Sequence, residues 1–164
     1  MEETSKTFYS KIAMESLWWI ITVLITAMIT RQYWYGFENK DFMHNLIVYC
    51  ILGVTYARYL IFLPYTFLAN FQIGKFVLIF ASIPLAFYLI QELFEYHELL
   101  ANDGTQVFQD YFKRSMTTNE IYALLERLSP VYTFFAVLSI MSVIILPFRL
   151  LISFWRVYNN TGKV

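Results

Sequence analysis

Apolar residues gather in four runs along this chain, and none of the four contains a charge. The runs lie at 16–30, 45–57, 76–91 and 128–148. A helix needs about 20 apolar residues to cross a hydrocarbon core roughly 30 Å thick. Each run approaches that length once its flanking residues are added. Lipid-facing strands would alternate apolar and polar positions with a period of two, and none of the runs does. The pattern predicts an all-α membrane protein: one domain, built as a bundle of four transmembrane helices. The expected spans are about 12–35, 42–63, 75–93 and 130–155, with an extramembrane loop at about 95–129.

Local signals refine these elements. Trp18 and Trp19 stand near one end of the first span, and Tyr33, Trp34 and Tyr35 at the other. Aromatic rings favour the headgroup zone, and Trp18 to Trp34 covers about 24 Å at 1.5 Å per residue. The second span stops at Pro64, and a short apolar connection at 64–74 should lie in the interface. Pro84 removes a backbone donor within the third span and predicts a kink there. In the long loop, Asn102-Asp103-Gly104 reads as a turn. Val107, Phe108, Tyr111 and Phe112 have helical spacing, and Thr117 to Glu120 matches a capping box. Ile121, Leu124, Leu125 and Leu128 follow as one apolar stripe. The loop is therefore expected to form a short amphipathic helical cap of two pieces. Its apolar side chains Phe108, Tyr111, Phe112, Ile121, Leu124 and Leu125 would meet the membrane or a partner. Ser129-Pro130 then reads as the start of the last helix.

Composition supports the membrane reading. Hydrophobic residues make up 59% of the chain and charged residues 15%, against about 25% charged in soluble domains. A zero formal charge indicates no attraction to nucleic acid. The single cysteine, Cys50, excludes an intrachain disulfide framework and cysteine-based zinc or redox motifs. The stretch ahead of the first run carries Glu2, Glu3, Lys6, Lys11 and Glu15, so it lacks the basic region of a cleavable signal and reads as part of a retained helix.

Charge also predicts orientation. Four crossings put both termini and the 64–74 connection on one side. That side holds Lys6, Lys11, Arg58, Lys75, Arg149, Arg156 and Lys163 against three glutamates, whereas the other holds five cations against nine acids. Cytoplasmic flanks carry the excess of Lys and Arg. Both termini are expected in the cytoplasm of a bacterial inner membrane, with the mitochondrial inner membrane as the alternative.

Few residues suggest chemistry. Arg58 falls inside a span, where a charge costs about 2.5–3.5 kcal/mol on insertion scales and needs a partner or a task. Glu15 lies at a similar depth on the first helix, so a tie between the two is expected; a lipid or ligand contact is the alternative. Glu92, Glu95 and Glu98 recur every third residue beside His97. Carboxylates so spaced share a helix face and are candidates for a cation contact; the competing reading is an acidic helix end entering water. Two histidines, His44 and His97, are too few for a membrane di-iron site, and no nucleophile motif or phosphate-cradling loop occurs. No metal, cofactor or catalytic residue is assigned. The expected function is a non-catalytic subunit or scaffold of a larger inner-membrane complex, with the bilayer and other membrane subunits as partners. A small homo-oligomeric pore is the alternative, with Thr22, Thr26 and Thr30 as its polar stripe. A lipid- or quinone-binding enzyme using Arg58 or the glutamates comes third.

Overall fold

A computed structural model describes residues 2–38, 41–69, 71–102, 111–113 and 115–159, with 2–8, 99 and 102 described by backbone alone. The protein is all-helical, and no strand occurs among the described residues. Among the described residues four α-helices carry the structure: α1 (Glu2–Arg31), α2 (Asp41–Phe62), α3 (Gln72–Asn102) and α4 (Thr118–Tyr158). Two single-turn 3-10 pieces, Leu63–Tyr65 and Phe67–Ala69, join α2 to α3. All four helices are long and apolar enough to cross a membrane, the make-up of a multi-pass membrane protein.

The core is a layered contact of α2 on α4 and of α4 on α3, while α1 packs chiefly on α2 at the edge. Sequence spacing explains this. On α2, Phe42, Leu46, Tyr49, Gly53 and Tyr56 alternate by four and three residues along one buried face. At Gly53 the two helices are in contact: a Cβ there would meet the Leu138 side chain at 3.4 Å, an ordinary packing distance. Without a hydrophobic drive between helices in lipid, such close packing is what holds them together.

The buried face of α4 runs unbroken from Ile121 through Leu125, Leu128, Tyr132, Ala136, Ser139, Val143, Leu146 and Leu150 to Ser153. This corrects one expectation. The stretch 121–128 is not a separate cap helix, and Ser129-Pro130 does not begin the last helix; Pro130 lies inside a single helix of 41 residues. Proline removes one donor and crowds one carbonyl, but the apolar stripe keeps its register through it, and burial on both sides outweighs that local cost. Thr117 caps this helix as expected: the Glu120 carboxylate accepts from the Thr117 backbone N–H at 2.8 Å and from its hydroxyl at 2.9 Å. The third helix likewise continues through Pro84 and runs beyond its expected span on both sides.

At the end where α1 turns into α2, the two interhelical connections clasp one another. Phe37 pairs with Phe112 in an isolated antiparallel bridge. The Glu38 amide donates to the Tyr111 carbonyl at 2.9 Å and the Lys113 amide to the Gly36 carbonyl at 3.2 Å. The Phe37 and Phe112 rings lie 4.6 Å apart, and Tyr111 meets Phe42 edge-on at 4.8 Å. The Tyr33 hydroxyl completes the clasp by donating to the Arg127 carbonyl.

Candidate functional site

The polar interior lies at the opposite end, where the two described termini and the α2–α3 connection meet. Its centre is Arg58, in the last turns of α2 and only 5% exposed. Its guanidinium is ion-paired and hydrogen-bonded to the Glu15 carboxylate of α1. Tyr59 adds a longer bond to the other Glu15 oxygen, at 3.4 Å. The guanidinium carbon sits 4.6 Å from the centre of the Tyr59 ring and 5.9 Å from that of Trp18. Trp18 in turn meets Phe62 at 5.9 Å. Delocalised charge and a planar fork suit arginine to this aromatic, carboxylate-bearing setting.

This cluster forms one wall of a pocket of about 450 Å³ between α1, the end of α2 and the connection, reached by Lys11, Met14, Tyr65 and Thr66. Among the described residues no hydrogen-bond partner meets the buried Arg58 Nε. The pocket combines apolar and aromatic walls with a neutralised cation and one further lysine. A smaller pocket at the clasp end, about 270 Å³, lies against Tyr33, Glu120 and Arg127.

The other residues singled out in the sequence are not brought together with this site. Glu92 turns inward and accepts from the Asn45 amide. Glu95 accepts from Gln91 at 3.0 Å on the exposed surface, and Glu98 is exposed as well. The three carboxylates therefore diverge, and no group of three or more His, Cys, Asp or Glu placed to hold a metal ion occurs among the described residues. Thr22, Thr26 and Thr30 are all buried on the inward face of α1. Each hydroxyl donates to the backbone carbonyl four residues back, at 2.8–2.9 Å. Of the six apolar cap residues, Phe108 lies outside the described residues. Phe112, Ile121 and Leu125 are buried in the chain's own core, and Tyr111 and Leu124 pack against it. A partner would meet the other face of this segment, because the clasp and the first turns of α4 already cover the apolar one.

One residue escaped the sequence reading. Lys75, counted there only as an interfacial cation, is fully buried. Its ammonium donates to the Ser153 hydroxyl oxygen of α4 at 2.9 Å. The available hint was its position directly ahead of an apolar run, but its partner is 78 residues away.

Comparison of the chain with known protein families, with curated proteins and with solved structures finds no match. The functional reading rests on the geometry above.

Proposed function

We propose that this chain is a non-catalytic integral membrane subunit, a scaffold within a larger inner-membrane assembly. The observation that supports this reading is the way α1 is mounted. Its inward face carries Glu15, Trp18 and the three threonines, and the buried ion pair with Arg58 fixes it to α2. Its outward face (Leu17, Trp19, Ile20, Val23, Leu24 and Met28) is left exposed by the rest of the chain. Helices in lipid associate by fitted side-chain packing rather than by a hydrophobic drive. An edge helix locked in rotation by a charged pair offers such a surface in a fixed orientation. The cation excess beside the termini supports a cytoplasmic location for both, in a bacterial inner membrane, with the mitochondrial inner membrane as the second setting.

The test is extraction from native membranes in mild detergent, followed by mass measurement, with a photo-crosslinking side chain placed at Val23 or at Thr26. A stoichiometric hetero-complex is expected, with a cross-link from Val23 to one other polypeptide and none from the inward Thr26. A monomer would overturn the reading. A homo-oligomer whose ion flux disappears in the Thr26→Leu variant would replace it with the pore.

A further inference from the structure

We propose that the end of the bundle bearing the termini carries a second site, separate from the Glu15–Arg58 pocket, that binds a negatively charged phosphate group. The inference goes beyond the scaffold reading and does not depend on it. Three observations converge. First, a pocket of about 320 Å³ lies between the α2–α3 connection and the last turns of α4, lined by Leu63, Pro64, Arg149, Ile152, Ser153 and Arg156. Pro64 separates it from the larger pocket, whose wall it also forms. Second, Arg149, Ser153 and Arg156 follow at i, i+4 and i+7, so one face of α4 presents two guanidinium groups with a hydroxyl between them. Third, Lys75 of α3 is buried directly behind that hydroxyl and donates to it.

Among the described residues the charges at this site are not balanced. Arg58 is paired with Glu15, but none of Lys75, Arg149 and Arg156 meets a carboxylate among the described residues. Among the described residues Arg149 has only a long bond to the Ile61 carbonyl, at 3.4 Å. A buried cation lacking a counter-ion is costly to desolvate, and an anion seated in the adjoining pocket would supply the missing charge. The hydrogen-bond directions fit as well. Because Ser153 Oγ accepts from the ammonium, its own O–H is free to donate into the pocket it lines. A ligand there would meet two arginine forks and a hydroxyl donor, with a lysine charge behind them. That donor set matches the several acceptor oxygens and the charge of a phosphate better than a single carboxylate. Trp155 and Tyr158 are exposed at the same helix end, which sets the site at the level where interfacial rings and lipid phosphates lie. The phosphate can therefore belong to an anionic lipid or to a free ion from the aqueous side.

The experiment uses the full chain in nanodiscs of phosphatidylcholine, with or without phosphatidylglycerol, read by native mass spectrometry of retained lipid and by thermal stability. Phosphatidylglycerol should be retained and should stabilise the wild-type protein. Arg149→Gln and Arg156→Gln should each weaken retention about fivefold, the effect of one cation near an anionic surface. Ser153→Ala should weaken it too, and Arg31→Gln, exposed at the opposite end of the bundle, should not. Arg156 is exposed, so its variant tests the site without disturbing the core, whereas Lys75→Met also reports on folding. Retention that inorganic phosphate fails to displace assigns a lipid headgroup. Stabilisation of phosphatidylcholine discs by inorganic phosphate, lost in the same variants, assigns a free ion. The proposal is overturned if neither probe acts on the wild type, if the arginine variants behave as wild type, or if oleate is held as well as phosphatidylglycerol.

Discussion

The two ends of this bundle are built on opposite principles. At the clasp end, two connections are stitched together by backbone bonds and stacked rings: Glu38 to Tyr111, Lys113 to Gly36, Phe37 on Phe112. At the other end, Arg58 and Lys75 are carried into the interior, and two pockets open beside them. The backbone pairs and aromatic contacts of the clasp satisfy one another. Buried cations need anions, and among the described residues a carboxylate meets Arg58 but none meets Lys75. The contrast separates an end that holds the fold shut from an end that, on the proposal above, binds an anion.

Substitutions can break this contrast. The largest effect is expected from Glu15→Leu. It leaves Arg58 buried without its counter-ion, and losing one partner of a buried pair costs about 3–5 kcal/mol. Unfolding in mixed micelles should show that loss, and the double variant Glu15→Leu/Arg58→Met should recover most of it. An unchanged midpoint in the single variant would mean that the ion pair does not anchor α1. A smaller effect is expected from Gly36→Ala at the clasp. The new Cβ would stand 2.5 Å from Leu124 Cδ1, the tip of a half-buried side chain that must swing aside, so the cost falls at the low end of overpacking, about 1 kcal/mol. Hydrogen exchange should speed up at the Glu38 and Lys113 amides and stay unchanged around Lys75; equal acceleration at both ends would show that they are not separate. The smallest is expected from Tyr49→Phe, between the two ends, which removes a hydroxyl donating to the Leu89 carbonyl at 2.7 Å. Interhelical bonds of this type average about 0.6 kcal/mol in membranes, so a loss several times larger would mark Tyr49 as part of a coupled network.

Those predictions draw on parts of the molecule that were unequally legible in the sequence. The four helices could be read from charge-free runs, because segment length and composition decide whether a helix can sit in lipid. The Thr117–Glu120 capping box is encoded in four adjacent residues, and Glu15 and Arg58 could be matched by depth alone. Helix α4 was harder. Ser129-Pro130 is a strong local start signal, but the stripe from Ile121 to Ser153 keeps its spacing across it, and tertiary burial prevailed over the local preference. The amphipathic stripe at 121–128 announces that its apolar face is covered; it cannot say whether by a partner or, as here, by the chain's own core. Lys75 was hidden for a related reason. The burial of a lysine depends on what faces it, and Ser153 is brought there only by the packing of α3 on α4.

The continuity of α4 has one more consequence. At 1.5 Å per residue its 41 residues extend about 60 Å, whereas a bilayer with its headgroups is about 40–45 Å thick. Set along the bilayer normal, such a rod would overhang the membrane, and its Thr118 end, packed into the clasp through Ile121 and Leu125, would carry that contact beyond the hydrocarbon.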